Sequence, residues 1–146
     1  MNLEQFREQL EIDEGVKYEV YNDHLGYATF GVGHLVLESD PEYGDPIGAP
    51  VSESRVIEAF EQDCENVLRD CHILYEDFDD LPEEAQQVIA NMMFNMGRPR
   101  LSGFKKFNAA LEAGDWKTAG VEGRDSRWYR QVTNRAERLM VRLEAV

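Results

Sequence analysis

The sequence predicts an α+β fold in which a small β-hairpin lobe and a larger helical lobe are joined by a long helix. Apolar residues recur at helical spacing over most of the chain, whereas residues 16–31 alternate with a period of two. The length of 146 residues, with 42% hydrophobic residues, suits one domain that buries a core of its own. We therefore expect a single domain with a sheet-bearing lobe at about 14–51, an interlobe helix at about 52–70, and a helical lobe at about 71–146 that includes an N-terminal helix at 2–13.

The N-terminal helix is expected to end directly before the hairpin. Leu3, Phe6 and Leu10 place apolar side chains on one side of this helix. Gly15 then gives the backbone the freedom to leave the helical conformation. Glu14 is therefore expected at the helix end, in an apolar corner.

The hairpin that follows holds a second acid in its turn. The alternating residues are Val16, Tyr18, Val20, Tyr27, Thr29 and Gly31. In the connection, Asn22 and Asp23 favour turn geometry and Gly26 can take a positive φ. We expect Asp23 in a solvated, hydrogen-bonding loop.

Two acids in such contrasting surroundings suit glycoside hydrolysis. Burial keeps a carboxyl group protonated so that it can act as an acid, whereas solvation and hydrogen bonding keep another ionised as a base or nucleophile. Thr29 adds a hydroxyl group that can hold a water molecule. An aspartate in a turn, or a glutamate at a helix end, is more often structural when it is considered alone, so the interpretation depends on the whole pattern.

The string from Glu14 to His34 resembles the phage-type lysozymes in its Asp-Glu-Gly start, in Asp23 and Thr29, and in the closing Gly-Val-Gly-His. Segments further along resemble the same family in the same order: Phe60-Glu61-Gln62-Asp63, residues 91–97, Ser102-Gly103-Phe104, residues 126–129 and Asn134-Arg135-Ala136. The resemblance implies a lysozyme-like fold and a muramidase that hydrolyses, with inversion, the β-1,4 bond between N-acetylmuramic acid and N-acetylglucosamine. It implies peptidoglycan glycan strands as the substrate, a monomer, and no cofactor.

The resemblance also implies roles for single residues. Glu14 matches the general acid, Asp23 the carboxylate that helps water attack, and Thr29 the third catalytic-site residue. Arg135 matches the arginine that pairs with the catalytic glutamate. His34 and Asp63 match a buried ion pair that ties the small lobe to the long helix in the family.

The resemblance also implies contacts with saccharide, although the chain departs from the family pattern at several positions. The residues that match family cleft positions are Leu35, Phe94, Asn95, Met96 and Arg127. The chain departs from the pattern where Leu25 replaces an acidic residue, Asn95 a glutamine, Phe107 a serine and Glu122 an asparagine. The change at position 25 removes the expected partner of Arg127 across the cleft.

Cysteine and histidine spacing predicts no metal site and no disulfide. Cys64 and Cys71 lie about two turns apart on one helix face, too far apart to bridge each other, and are expected to be reduced core thiols. His24, His34 and His72 show no HExxH-type spacing.

Helix signals occupy the rest of the chain. Ser52 is expected to cap the interlobe helix, and the turn-rich stretch 40–50 to connect the lobes. A buried helix is expected to start with Pro82 at its first position and to end at Gly97, with Met92, Met93 and Met96 as core residues. Further helices are expected at 101–113, 115–121 and 133–143, with breaks at 114–115 and at Gly123.

The net charge of −14 excludes a nucleic-acid-binding role and predicts repulsion from anionic wall polymers. Action at high ionic strength, tethering in a virion, or an environmental or designed origin would each accommodate that charge, as would a local basic rim formed by Arg98, Arg100, Lys105, Lys106, Arg124, Arg127 and Arg130. No segment is expected to insert into a membrane, and the N-terminus lacks a secretory signal pattern. We expect synthesis in a host cytoplasm, followed by release through a separate pore or delivery in a virion.

Two other functions remain open from the sequence. A lytic transglycosylase needs one acid and closes an anhydro ring without water, which the presence of Asp23 and Thr29 disfavours. A non-catalytic peptidoglycan-binding or tail-structural module is the second possibility, and the intact set of Glu14, Asp23 and Thr29 disfavours that one as well.

Overall fold

The predicted α+β class is confirmed by the computed structural model, which describes all 146 residues. A three-stranded antiparallel sheet of order β1-β2-β3 is formed by β1 (Lys17–Asn22), β2 (Ala28–Gly31) and β3 (His34–Leu35). The helices are α1 (Leu3–Glu14), α2 (Glu53–Leu74), α3 (Glu83–Met96), α4 (Arg98–Ser102), α5 (Lys105–Glu112), α6 (Trp116–Arg124), α7 (Arg127–Gln131) and α8 (Thr133–Glu144), with a 3-10 helix at Phe78–Asp80. None of these helices combines the length and the apolar character needed to cross a bilayer.

The chain divides into two compact units whose boundaries fall inside α1 and α2. The sheet unit is Arg7–Asn66, and the helical unit comprises Met1–Phe6 and Val67–Val146. The single domain and the lobe boundaries drawn from the sequence stay a prediction.

The predicted hairpin is present in the sheet unit. β1 and β2 pair antiparallel, with Tyr21 opposite Thr29, and Gly26 takes the expected positive φ of +85° in the connecting turn. The register shifts along β1 between Lys17 and Tyr21. Such an irregularity redirects side chains, and Tyr18 is half exposed although strict alternation would have buried it with Val20.

A third strand, β3, was not predicted. It pairs with β2 through Phe30 opposite His34 and Thr29 opposite Leu35. Two residues are too few to produce a visible period in a sequence. The strand nevertheless fixes His34, which matters for the site described below.

The turn-rich stretch 40–50 lies along the outer edge of β1. The N–H of Val20 donates to the carbonyl of Ala49 at 2.9 Å, and the N–H of Gly48 donates to the carbonyl of Val20 at 2.7 Å. These bonds occupy backbone groups that an open strand edge would expose. Ser52 then caps α2 as predicted, its Oγ accepting the N–H of Arg55 at 3.2 Å.

Helix α2 continues one turn beyond the predicted residue 70 and carries both cysteines. Cys64 and Cys71 are free and buried, so the predicted core thiols are confirmed. Burial raises the pKa of Cys64 to about 11 and the pKa of Cys71 to about 12. Both therefore remain protonated and unreactive near neutral pH.

Helix α3 is buried on all sides over most of its length, and its methionines are core residues as predicted. Gly97 ends the helix with φ +82°, and its N–H donates to the carbonyl of Met93. The position predicted for Pro82 is wrong by one residue. Pro82 precedes the first helical residue because its ψ of 145° is extended.

The single helix predicted at 101–113 is instead two helices, α4 and α5. The carbonyl of Leu101 would accept the N–H of Lys105 in a continuous helix. It accepts the N–H of Phe104 at 3.1 Å and the side-chain amide of Asn108 at 2.9 Å instead, while the N–H of Lys105 donates to the carbonyl of Gly103. These two bonds occupy the acceptor that helix continuation requires.

The helix break predicted at Gly123 is also wrong. Gly123 lies inside α6 and is buried, and a Cβ atom built there would overlap the Sδ of Met140 in α8. A Cβ at Gly120 would overlap the side chain of Glu144 in the same way. These glycines serve close packing between α6 and α8, and α7, which follows α6, was not predicted.

Candidate active site

Glu14 is the last residue of α1, as the sequence predicts. Gly15 takes φ +73°, a conformation that glycine adopts without steric cost, and the helix therefore ends there. The Glu14 side chain is half-buried and lies against Gly33 in the turn between β2 and β3: a Cβ built at Gly33 would lie 2.7 Å from Glu14 Oε1.

Asp23 lies in the turn between β1 and β2, and its carboxylate is held by the backbone. Its Oδ1 accepts the N–H groups of Leu25 and Tyr27, both at 2.9 Å. Two backbone donors fix the orientation of one carboxylate oxygen. The predicted hydrogen-bonding loop is therefore present.

Thr29 is buried in β2, and its Oγ1 donates to the carbonyl of Tyr27 at 2.9 Å. The hydroxyl hydrogen is thus committed to the backbone, and what the hydroxyl group can still do is accept a hydrogen bond. This is the polarity needed to orient a water molecule through one of its hydrogens.

Tyr21 shows that the two acids share one neighbourhood. The pKa of its phenol is raised, first by burial and then by the negative charges of Glu14 and Asp23. Tyr21 also lies opposite Thr29 in the sheet, and the Lys17 ammonium group lies 4.3 Å from the centre of its ring. The charges of Glu14 and Asp23 thus both act on Tyr21, and Thr29 is its partner across the β1–β2 pair.

His34 is held between two carboxylates. Its Nδ1 lies 2.7 Å from Asp63 Oδ2, which is the contact predicted from the sequence, and its Nε2 lies 2.7 Å from Asp40 Oδ2, which was not predicted. Burial alone would lower the pKa of the imidazole, but the bonds to Asp63 and Asp40 outweigh it and raise that pKa.

Asp40 links His34 to an arginine cluster. Arg55 donates to Asp40 at 3.1 Å and to both carboxylate oxygens of Glu42 at 2.9 and 3.0 Å. Burial would raise the pKa of Asp40, but the Leu37 N–H, His34 and Arg55 together lower it. Both ring nitrogens of His34 thus contact carboxylates, and that of Asp40 is itself held by the Leu37 N–H and Arg55.

The residues predicted to contact saccharide are divided between the two units. Leu35 is half exposed in β3 of the sheet unit. In the helical unit, Phe94 and Asn95 are half-buried near the end of α3 and Met96 is buried. The Oδ1 of Asn95 accepts the indole N–H of Trp128 at 2.7 Å, which fixes its amide.

Arg127 begins α7 and lines a cavity of about 420 Å³ in the helical unit together with Lys105 and Lys106. Glu122 and Asp125 line the same cavity, so its charge is mixed. Another cavity, of about 660 Å³, contains none of the predicted site residues.

Three of the seven basic side chains proposed as a rim have acidic or polar partners. Arg124 is held by Glu137 and Glu144, with its closest contact to each at 2.8 and 2.6 Å. Arg98 lies 3.6 Å from Asp70, and Arg100 donates to Gln131.

Arg135 is buried in α8, and its Nε donates to Asn91 Oδ1 at 2.9 Å. This bond connects two segments on which the sequence resemblance depends. The predicted pairing of Arg135 with Glu14 stays a prediction.

Three features of this region were missed from the sequence. Asp40 gave no signal beyond being a turn residue. Lys105 and Lys106 were recognised only as basic residues, and Gly33 only as part of a motif. The partners of Asp40 and Gly33, and the cavity lined by Lys105 and Lys106, are formed only by the fold.

Comparison with known proteins gives a consistent result. The profile of the family described as phage lysozyme matches residues 11–145. The pre-baseplate central spike protein Gp5 of Enterobacteria phage T4 is 30% identical, with 90% of this chain and 26% of that protein aligned. Probable T4-type lysozyme 2 of Dictyostelium discoideum is 28% identical over 92% of this chain and 90% of its own length. Probable T4-type lysozyme 1 of the same organism is 29% identical over 94% of this chain and 92% of its own length. The chain thus spans about a quarter of the spike protein and nearly all of the two lysozymes.

Proposed function

Because this chain belongs to the phage lysozyme family and is a glycoside hydrolase of the lysozyme type, we propose that it is a muramidase. The bond it cleaves is the β-1,4 linkage between N-acetylmuramic acid and N-acetylglucosamine in peptidoglycan. The observation that supports this proposal is that the charges of Glu14 and Asp23 both act on Tyr21, whose partner across the β1–β2 pair is Thr29.

In the proposed reaction, Glu14 donates a proton to the glycosidic oxygen as the bond to the anomeric carbon breaks. Its half-buried position at the end of α1 keeps the carboxyl group close to the β2–β3 turn. The leaving sugar departs with a free hydroxyl group. Glu14 is left as a carboxylate and is reprotonated from solvent.

A water molecule attacks the anomeric carbon from the opposite face, and Asp23 accepts its proton and then releases it to solvent. Because the Thr29 hydroxyl hydrogen is bound to Tyr27, Thr29 accepts the second hydrogen of that water and directs its lone pair toward the sugar. This arrangement gives inversion, for which the two carboxyl groups stand roughly 6.5–9.5 Å apart. NMR of the first-formed products should show the inverted anomer.

The deciding experiment replaces Glu14 by glutamine, which keeps the size of the side chain and removes its proton. We expect Glu14→Gln to lower the lysis of purified walls by at least about a hundredfold, with circular dichroism and the melting temperature close to those of the parent. Glu11→Gln is the matched control because it makes the same replacement of side-chain groups at an exposed position of α1. Full activity of the Glu14 variant would remove the proposed acid.

A second candidate function follows from the spike protein, since this chain aligns with only a quarter of it. The chain would then be a peptidoglycan-binding or structural module of a virion device. Wall pull-down separates the two: binding by the parent without any release of reducing ends would favour the module. Release of anhydro sugars instead of reducing ends would indicate a lytic transglycosylase.

The proposed partners are peptidoglycan glycan strands, and the proposed state in solution is a monomer. Release through a pore or delivery in a virion remains part of the proposal, with the wall as the place of action.

A further inference from the structure

We propose that Gly33 is a positioning residue for Glu14, because its bare α-carbon is the surface on which the Glu14 carboxyl group rests. The inference rests on the proposed function, in which Glu14 is the general acid. It assigns to the β2–β3 turn, residues 31–34, the task of fixing where that acid lies.

The contact extends along the whole end of the Glu14 side chain. A Cβ atom built on Gly33 would lie 2.7 Å from Oε1, 2.8 Å from Cδ and 3.0 Å from Cγ of Glu14. Since ordinary van der Waals contact between such atoms begins near 3.4 Å, any side chain at this position would occupy space that Glu14 already fills. Either Glu14 or the turn would have to move.

The turn is held on both sides of Gly33 and is the less able of the two to move. Before Gly33, Val32 is buried, and a Cβ built on Gly31 would lie 3.1 Å from Val56 of α2. After it, His34 is fixed by Asp63 and Asp40 at 2.7 Å each. The flexible Glu14 side chain would therefore yield, by roughly the 0.7 Å that separates 2.7 from 3.4 Å.

A displacement of this size affects proton donation by an acid more than it affects substrate binding. Proton donation requires the carboxyl oxygen within hydrogen-bond reach of the glycosidic oxygen, and misplacement by about 1 Å can cost on the order of a hundredfold in rate. Substrate affinity comes from other side chains. Moving Glu14 should therefore lower kcat and leave KM nearly unchanged.

The test compares Gly33→Ala with Gly44→Ala. Both glycines have positive φ, +60° and +86°, so both substitutions strain the backbone, but a Cβ on Gly44 meets no atom within 4 Å. We expect Gly33→Ala to lower kcat by about 10- to 100-fold with KM within about twofold. Gly44→Ala should keep the parent values. Equal kcat in the two variants would overturn the inference.

A second measurement tests the contact without using activity. In the parent, Gly33→Ala should lower the melting temperature more than Gly44→Ala does. In a Glu14→Ala background the two losses should become equal, because the side chain that meets the new methyl group is gone. An excess loss that persists in that background would contradict the proposed contact. Should Gly33→Ala alone fail to fold, the folding of its combination with Glu14→Ala would support the contact, and failure of both would oppose it.

The two proposals can fail separately. Full activity of Glu14→Gln would defeat the proposed function and leave this thermal comparison intact. An inactive Glu14→Gln combined with a normally active Gly33→Ala would defeat only the present inference.

Discussion

At the scale of single residues, the ion pairs of His34 make the stability of the folded protein depend on pH. Its two ring nitrogens face Asp63 and Asp40, Asp40 faces Arg55, and Arg55 faces Glu42. The raised pKa of His34 means that its contribution is complete below about 6.5 and is lost as pH rises through the folded value. The lowered pKa of Asp40 means that its contribution is present above about 3.8 and is lost as pH falls through the folded value.

We therefore predict that His34→Asn lowers the free energy of unfolding by about 2 kcal/mol, the size expected when hydrogen bonds to charged groups are lost. The difference from the parent should be largest between about pH 4 and 6.5 and should shrink on both sides. Urea unfolding at several pH values measures it. His72→Asn is the control, since the His72–Asp79 pair has the same chemistry but is exposed, with side chains 47% and 78% accessible. If the difference in unfolding free energy between the parent and His34→Asn did not vary with pH, the role of the His34 ion pairs would be refuted.

At the scale of elements, the packing of α6 on α8 depends on glycines inside a helix. Helix propensity alone predicts that Gly123→Ala stabilises the protein by roughly 1 kcal/mol. The buried Met140 leaves no room for the new methyl group, however, and overpacking costs about 1–3 kcal/mol. We predict a net loss of stability, measured by denaturant unfolding.

The effect of Gly123→Ala on stability should change sign when the Met140 side chain is shortened. Met140→Ala creates a cavity and is itself destabilising. In that background, Gly123→Ala has space and contributes its helix propensity, so it should stabilise. Destabilisation of equal size in both backgrounds would show that the contact with Met140 is not the cause.

The elements that the sequence predicts correctly are those whose signals are local. Gly15 ends α1, Gly26 makes the hairpin turn and Ser52 caps α2, and each acts on backbone groups within a few residues. The failures depend on partners that the fold supplies. Gly123 is typical of a helix break, but in the fold it makes room for Met140. The residues around Leu101 favour a continuous helix, but its carbonyl is occupied by the N–H of Phe104 and the side chain of Asn108.

The candidate site shows the same division. Glu14 and Asp23 could be placed at a helix end and in a turn because both positions follow from neighbouring residues. The contact of Gly33 with Glu14 and that of Asp40 with His34 could not be derived in this way, since no sequence period records which surfaces of separate elements meet. β3 has only two residues, too few to give a recognisable sequence pattern, yet it fixes His34.

At the scale of the whole molecule, the net charge of −14 opposes approach to an anionic wall. A basic rim could offset this, but acidic side chains accompany part of it. Arg124 is neutralised by Glu137 and Glu144, and the cavity that holds Lys105, Lys106 and Arg127 also holds two acids. Long-range repulsion should therefore govern the encounter of the free enzyme with its substrate.

We predict that lysis of walls accelerates as salt rises from about 0.01 M to 0.1 M, because the Debye length falls from about 30 Å to about 10 Å. The rate is measured at fixed pH with folding checked by circular dichroism at each salt concentration. Replacing the exposed Glu61 and Glu65 by lysine supplies the matched control: with less repulsion to screen, this variant should be faster at low salt and should respond less to added salt. A parent rate that falls steadily with salt would instead mean that the local field of Lys105, Lys106 and Arg127 attracts the wall despite the charge of the molecule, and mutating those three residues would then abolish the salt dependence.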